Sequence, residues 1–139
     1  MGSDLNGSAT FPADAKYGED GVIISNKAFG RYSDGSKNAP YHLGRTLTHE
    51  VGHYFNLLHP WGPKAENRDC KEDDGVSDTP VQSGTYQGLC PGSGQLSCGN
   101  LDLFQNFMNY TNDACLSMFT KGQVQRMQTA LMGPRAGLL

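Results

Sequence analysis

The segment from residue 49 to residue 59 constrains this chain more than any other, and it reads HEVGHYFNLLH. If its first part is helical, His49 and His53 lie four residues apart on one face, so both imidazoles can bind one ion at about 2.0–2.1 Å. Glu50 lies about 100° further round the helix, too far to complete the same ligand set but close enough to reach a metal-bound water. The pattern therefore predicts two metal ligands and a general base.

The third histidine of the segment decides the kind of metal site. His59 reaches the same ion only if the helix ends abruptly and the chain turns back, and Asn56 is placed for that turn. After Gly, Asn is the residue that most often adopts the left-handed conformation that ends a helix. Three histidines leave one tetrahedral position for water, the open arrangement of catalytic zinc. The alternative is that the three are ordinary surface or core histidines. His42 lies seven residues before His49 on the same side of the predicted helix, and we interpret this fourth histidine as structural.

Length and charge limit the classes of protein. The 139 residues, 37% of them hydrophobic, are enough for one domain with a modest core. We expect residues 1–139 to form a single domain, with a truncated N-terminal subdomain over 1–59 and a C-terminal subdomain over 60–139. A net charge of −3 without a run of Lys or Arg argues against nucleic-acid and membrane partners. No stretch approaches the roughly 18 apolar residues that span a bilayer, and the first residues lack the regions of a signal peptide.

All the cysteines lie in the second half of the chain, and none forms a CxxC pair, so a zinc ribbon or a thioredoxin-like site is disfavoured. An even count in a loop-rich segment favours two disulfides, with buried free thiols as the alternative, and three pairings are open. Disulfides indicate an oxidising compartment. We therefore expect a secreted protein whose signal peptide is absent from this sequence. The cysteines are Cys70, Cys90, Cys98 and Cys115.

The N-terminal half predicts two strands and a helix. Short β-branched or aromatic runs bounded by Gly, Pro and Asp favour strands at residues 8–11 and 21–25. A loop is expected over residues 30–39. A helix then follows from about residue 40 to residue 55, because Pro is tolerated in a first turn. The apolar residues that recur every four positions along it are Leu43, Leu47 and Val51.

The C-terminal half predicts a long irregular region and a final helix. Residues 60–105 show no sustained period of either kind. The helix starts at Thr120, which forms a capping-box pattern with Gln123, and it stops at Gly133 and Pro134. The apolar residues predicted for its buried face are Val124, Met127 and Leu131.

The motif resembles the long zinc-binding motif of the metzincin peptidases, H-E-x-x-H-x-x-G-x-x-H, with Asn56 in place of the glycine. Farther along, QNFMNYTNDACLSMFTKGQ resembles the segment that contains the metzincin Met-turn. Within that clan the chain is most similar to the pappalysin and cytophagalysin family, through GRTLTHEVGHYFNLLHPWG, DDGVSDTP and NFMNYTNDACLSMFTKGQ. The resemblance covers most of the chain. It implies an α+β metzincin-like fold with a reduced N-terminal sheet, an active-site helix, and a loop-rich C-terminal subdomain with a Met-turn and a final helix.

The resemblance also implies roles for residues outside the histidine motif. Met108 would form an apolar floor under the imidazoles, and Tyr110 would stabilise the oxyanion that develops during attack. Matching the family's cysteines in order implies the disulfides Cys70–Cys98 and Cys90–Cys115. Calcium near the active site is implied as well, and a crowded acidic loop offers the hard oxygen ligands that Ca²⁺ prefers, with a plain solvated loop as the alternative. The crowded carboxylates are Asp69, Glu72, Asp73, Asp74 and Asp78, of which Asp73, Asp74 and Asp78 are the candidate calcium ligands.

The strand at residues 8–11 corresponds to the edge strand at the upper rim of the metzincin cleft, where free backbone groups could pair with an extended polypeptide substrate. The candidate substrate-binding residues on it are Ser8, Ala9, Thr10 and Phe11. Asp113 is the candidate for an acidic pocket residue that favours a basic side chain after the cleaved bond, although Ala114 directly precedes Cys115. The resemblance implies further strands and a backing helix before that rim strand, but only 48 residues precede His49 here. We therefore expect an incomplete sheet, in either a fragment or an unusually small version of the fold. Its exposed edge could pair with another chain, and we favour a monomer.

These features predict a zinc-dependent endopeptidase. Zn²⁺ would polarise the peptide carbonyl, Glu50 would take a proton from the metal-bound water and pass it to the leaving amine, and Tyr110 would steady the oxyanion. The alternative is a truncated relative that binds zinc and peptides without hydrolysis. A purely structural metal site would need a fourth protein ligand, for which the sequence offers no obvious candidate.

Overall fold

The computed structural model describes residues 5–16, 18–31, 40–63 and 69–139. The loop predicted at 30–39 lies outside these residues except for its first two. None of the helices in the described part is long and apolar enough to cross a bilayer. In chain order the strands and helices are β1 (Gly7–Ala9), β2 (Val22–Ile24), α1 (Arg45–Tyr54), β3 (Leu96–Ser97), β4 (Asn100–Leu101) and α2 (Lys121–Met132), with short 3-10 turns at Pro12–Asp14 and Ala136–Leu138.

The two N-terminal strands pair antiparallel, with Ser8 opposite Ile23, and they pack on α1. Strand β2 lies within the predicted residues 21–25. Strand β1 ends at Ala9, earlier than predicted, because Pro12 begins a 3-10 turn and has no N–H to continue a ladder. The predicted reduced sheet is thus a two-stranded ribbon packed on α1.

Helix α1 begins at Arg45 rather than at Pro40. Gly44 has φ 77°, a left-handed conformation that helical residues do not adopt, and it separates the two. Asp113, distant in sequence, accepts hydrogen bonds from the Arg45 N–H at 3.2 Å and from the N–H two residues earlier at 2.8 Å. This carboxylate satisfies amides that a helix start leaves free. His42 therefore precedes the helix and does not lie on its face as predicted.

The buried face of α1 is polar, so the prediction of an apolar stripe was wrong. Leu47 is 39% exposed. The helix instead turns inward the side that carries His49 and His53, whose Nδ1 atoms hydrogen-bond to backbone carbonyls. The residues of α1 that are buried are Thr46, His49, Glu50, Gly52 and His53.

The C-terminal half is largely irregular, as predicted, but it contains the unpredicted hairpin of β3 and β4. Its strands have two residues each, too short to produce a period, and its turn is formed by Cys98 at φ 50° and Gly99 at φ 76°. Positive φ at both central positions is the type I′ turn of tight hairpins. The disulfides Cys70–Cys98 and Cys90–Cys115 are both present, which confirms the pairing that the resemblance implied.

Helix α2 confirms the predicted capping box. Gln123 N–H donates to Thr120 Oγ1 at 3.1 Å, and Thr120 N–H donates to Gln123 Oε1 at 3.0 Å. Because Gln123 points inward and is fully buried, the next residue is rotated outward, and Val124 is 40% exposed. The predicted buried face is therefore wrong at Val124, and Gln123 and Ala130 are the buried residues of this helix.

Candidate metal centre

Three imidazoles of the HEVGHYFNLLH segment converge on one point. His49 and His53 project from α1, and His59 returns from the chain beyond the helix. The Nε2 atom of His59 lies 3.3 Å from that of His49 and 3.1 Å from that of His53. Zinc in tetrahedral coordination, with Zn–N bonds of about 2.0–2.1 Å, separates its ligand nitrogens by about 3.3 Å. The spacing fits that ion, and no fourth His, Cys, Asp or Glu of the described chain belongs to the group.

The second ring nitrogens of the helical histidines fix their tautomer. Nδ1–H of His49 donates to the carbonyl of Phe107, and Nδ1–H of His53 donates to the carbonyl of Leu57, each at 2.7 Å. A carbonyl only accepts, so the proton must lie on Nδ1 and the lone pair on Nε2. Burial lowers the pKa of His49 to about 3 and also lowers that of His53. Both rings are therefore neutral at pH 7 and directed as metal ligands.

His59 is oriented by the end of the helix and by an aromatic ring. Asn56 has φ 74°, the left-handed conformation expected from the sequence, and its N–H donates to the carbonyl of His53 at 2.9 Å. Trp61, which is 1% exposed, stacks on His59 with 4.7 Å between ring centroids and 6° between planes. Burial lowers the pKa of His59 to about 2. The third imidazole is thus also neutral and held in one plane.

The methionine that the resemblance implies beneath the histidines packs against Gly52 of α1. Met108 is completely buried, and a methyl group added to Gly52 of α1 would overlap its sulfur. Met108 N–H donates to Asn106 Oδ1 at 2.9 Å. Asn106 and Gln123 exchange two side-chain hydrogen bonds, at 2.7 Å and 3.2 Å. The turn beneath the metal site is therefore anchored to α2 through buried amides.

Glu50 lies between the histidines and the rim strand. It is 7% exposed, and burial raises its pKa to about 7. An ideal Cβ on Gly7 of β1 would stand 2.8 Å from Glu50 Cγ and 2.9 Å from Oε1. The Glu50 carboxylate can therefore lie against β1 only because Gly7 has no side chain.

Tyr110 stands beside the histidines and reaches solvent. Its ring centroid is 4.8 Å from that of His59 and 5.3 Å from that of His49, and it is 37% exposed. Burial, and then the charge of Glu50, raise the pKa of the phenol to about 12. The hydroxyl keeps its proton at neutral pH and can donate a hydrogen bond.

A cavity opens beside His49 and Glu50. Its lining also includes Gly7 of β1, Arg45, Asp113 and Leu116. Asp113 is 2% exposed. Asp113, the candidate pocket residue of the sequence, lines this cavity. The sequence did not predict Arg45 in the lining or the bonds of Asp113 at the start of α1.

The carboxylates proposed for calcium do not converge in the described part of the chain. Asp73 and Asp74 each accept a backbone N–H two residues ahead, at 2.7 Å and 2.9 Å. Asp78 accepts the N–H of Gly122 at the start of α2, at 3.2 Å and 3.0 Å. The second oxygen of Asp74 is buried without a hydrogen bond, and burial raises the pKa of Asp74 to about 6. Of the three, Asp74 alone has a buried oxygen left for a cation.

A helix with two histidines, a third histidine that returns after a left-handed turn, and a buried methionine against that helix define a metzincin-type metal site. The surrounding α+β structure is a reduced zincin fold. The mature mirolysin of Tannerella forsythia, solved in complex with a cleaved peptide, matches with a TM-score of 0.84 and 44% identity, over 94% of this chain and 49% of that one.

Residues 3–132 match the family described as pregnancy-associated plasma protein-A. The chain belongs to this family, the pappalysins, as the motifs predicted. The extracellular metalloproteases of Arthroderma otae and Colletotrichum graminicola are 43% identical over 105 residues and 38% identical over 119 residues. Those alignments cover 37% and 39% of the two relatives, so the chain spans less than two fifths of their length.

Proposed function

We propose that the chain forms the catalytic site of a zinc-dependent endopeptidase. The observation that carries the proposal is the convergence of three neutral imidazoles, with Nε2 atoms 3.1 Å and 3.3 Å apart, beside a buried carboxylate and a cavity. A structural zinc site would have a fourth protein ligand, whereas catalytic sites keep one position open. The extracellular metalloproteases and mirolysin support the same class of activity.

The metal would be held by His49, His53 and His59. Zinc, when bound there, would supply a Lewis acid for the hydrolysis of the peptide bond. Glu50 then acts as general base: its carboxylate takes the proton of the attacking water and delivers it to the departing amine. The charge of a divalent cation favours the ionised form of Glu50, which opposes the effect of burial on its pKa. The Tyr110 hydroxyl donates a hydrogen bond to the oxyanion.

The rim strand would hold the polypeptide substrate. Asn6 carbonyl accepts from Ser25 N–H at 2.8 Å, and Thr10 N–H donates to Gly21 carbonyl at 3.0 Å. Hydrogen-bonded pairs alternate along an antiparallel ladder, so the backbone groups of the intervening odd residues face the opposite edge. The free donors and acceptors on β1 are therefore those of Gly7 and Ala9.

This pairing refines the substrate-binding segment predicted from the sequence. Within residues 8–11, Ala9 keeps its proposed part, whereas Ser8 and Thr10 use their backbone groups to hold β2. Phe11 packs on His53 with 5.1 Å between ring centroids, so it supports a metal ligand. An extended peptide would pair along the edge directly above Glu50.

The cavity would take the side chain that follows the cleaved bond. It contains opposite charges, Arg45 and Asp113, and one oxygen of Asp113 already accepts two backbone N–H groups. We propose that the remaining oxygen of Asp113 favours a basic side chain there. Cleavage of a peptide library tests this preference. A preference for acidic side chains after the cleaved bond would instead indicate that Arg45 contacts the substrate side chain.

Calcium binding to the acidic loop is a separate part of the proposal. The buried, unbonded oxygen of Asp74 is the ligand that the described loop offers, while Asp78 is engaged at the start of α2. Cation binding would offset the cost of a buried carboxylate. We expect calcium to raise the melting temperature of the parent chain and to have little effect on Asp74→Asn.

The remaining proposals concern the whole molecule. We propose secretion, supported by the two disulfides and by relatives named as extracellular. We further propose one domain over 1–139, with subdomains 1–59 and 60–139 on either side of the cleft, acting as a monomer on polypeptides.

The test is hydrolysis of a quenched fluorescent peptide library by the oxidised chain with zinc and calcium. We expect the parent chain to cleave peptides, a chelator to abolish this cleavage, and Glu50→Ala to show none.

Tyr110→Phe should lower kcat on the order of 10²-fold. Tyr86→Phe, whose hydroxyl donates to Asp102 at 2.6 Å, is its matched control and should leave kcat unchanged. If the chain binds stoichiometric zinc and peptides without cleaving them, the proposed peptidase activity is wrong and the chain is a peptide-binding module.

A further inference from the structure

Arg135 is a buried cation that lies beyond the stretch matched by the family and close to the rim strand. It follows α2, and only 4% of it is exposed. Its Nε–H donates to the carbonyl of Tyr54 at 3.2 Å, its Nη2 donates to the carbonyl of Thr10 at 2.8 Å, and its Nη1 donates to Asp20 Oδ2. The guanidinium also lies over the Tyr54 ring, 3.7 Å from its centroid.

The acceptors of Arg135 come from three different segments. Tyr54 is the last residue of α1 and follows the metal-binding His53 directly. Thr10 follows β1, and Asp20 precedes β2. One side chain thus joins the end of the metal-binding helix to both strands of the rim.

We propose that Arg135 is a positioning residue that sets the height of β1 above the metal-binding helix. The inference rests on the proposed function, in which the free edge of β1 binds substrate above the histidines. A shift of this strand would move the substrate backbone relative to the metal and Glu50, without removing any metal ligand. Arg135 would therefore control substrate binding while leaving zinc binding intact.

The chemistry of the residue suits this role. A planar guanidinium presents several donors in a rigid fork and can bond three acceptors at once, which a lysine ammonium on a flexible stem does with less directional control. The Tyr54 carbonyl belongs to the last turn of α1, where carbonyls lack helical partners and attract cations. A two-stranded sheet is marginally stable by itself. The rim therefore depends on this connection to the body of the protein.

The experiment compares the zinc-loaded parent chain with Arg135→Lys and Arg135→Ala. The measurements are zinc content, amide hydrogen exchange of Gly7–Ala9, and KM and kcat on a peptide that the parent cleaves. We expect Arg135→Ala to raise KM by at least about tenfold with little change in kcat. Exchange at Gly7–Ala9 should accelerate by at least about tenfold with zinc content unchanged. Arg135→Lys should fall between the parent and Arg135→Ala.

Two further variants separate positioning from general stability. Met127→Ala removes a half-buried side chain from α2 and controls for lost stability alone, so KM and rim exchange should stay at parent values. Asp20→Asn removes one charged acceptor while both carbonyl acceptors remain, and it should give a smaller rise in KM and a smaller acceleration of rim exchange.

Equal KM and equal rim exchange in Arg135→Ala and Met127→Ala, compared at equal fractions folded, would overturn the proposal. If the parent cleaves no peptide, the proposed function fails. Exchange at Gly7–Ala9 then still decides whether Arg135 holds the rim, because that measurement needs no substrate.

Discussion

The floor of the site and its rim are built by different means. Below the histidines, Met108 and Asn106 are completely buried, and paired amides connect the floor to α2. Above them, the rim is a two-stranded ribbon in which Ile23 is 52% exposed and which Arg135 ties to α1. The floor depends on close packing, so it tolerates no added volume. The rim depends on a few directional contacts.

This difference assigns separate tasks to the two regions. In the proposed metal site the ligands need a fixed geometry before the metal binds, and the backbone carbonyls that accept from His49 and His53 supply it. A substrate strand needs an accessible edge, which close packing on both sides would remove. Substitutions in the floor should therefore affect zinc affinity and stability together, whereas substitutions in the rim should affect substrate binding or turnover without loss of zinc.

Adding one methyl group in the floor gives the largest expected effect. Gly52→Ala would place a Cβ on the sulfur of Met108, and both residues lie in a fully packed region. We expect the free energy of unfolding to fall by about 3 kcal/mol and zinc affinity to fall about 10-fold to 100-fold. Thermal unfolding and competition with a zinc chelator measure the two effects. Unchanged zinc affinity would show that the methionine does not support the histidines.

The same addition in the rim should affect turnover instead. Gly7→Ala would bring a Cβ to 2.8 Å from Glu50 Cγ and displace the carboxylate. A shift of about 1 Å at a catalytic group can lower kcat on the order of 10²-fold. Zinc content and melting temperature should match those of the parent. A loss of zinc equal to that in Gly52→Ala would remove the distinction between the two regions.

The smallest expected effect concerns pH and the acidic loop. Burial raises the pKa of Asp74 from 3.8 to about 6, so between these values the unfolded chain has released a proton that the folded chain still binds. Without calcium, the parent therefore loses stability as pH rises through this window, and the loss is complete above about pH 6. Asp74→Asn lacks this loss, so its melting temperature relative to the parent should rise by a few degrees across the window. If the difference in melting temperature between Asp74→Asn and the parent did not depend on pH, Asp74 would be solvated rather than buried.

Local patterns in the sequence predicted the parts of the molecule that depend on near neighbours. The spacing of His49 and His53, the left-handed Asn56 and the capping box of α2 each follow from a few adjacent residues. The family resemblance supplied the disulfide pairing and the fold.

Contacts between distant segments could not be predicted in the same way. Asp113 accepts the first amide of helix α1 at Arg45, and Leu47 is exposed because the polar side of the helix faces the site. The proximity of Gly7 to Glu50 and the bonds of Arg135 to the rim join residues more than 40 positions apart. A single sequence has no local signal for such pairs.

The most direct test of the central claim measures zinc content and peptide turnover together in Glu50→Gln. In the proposed mechanism the three histidines hold the metal and Glu50 moves the proton, so this variant should keep one zinc ion per chain while kcat falls on the order of 10²-fold to 10⁴-fold. Turnover equal to that of the parent at full zinc content would contradict the account.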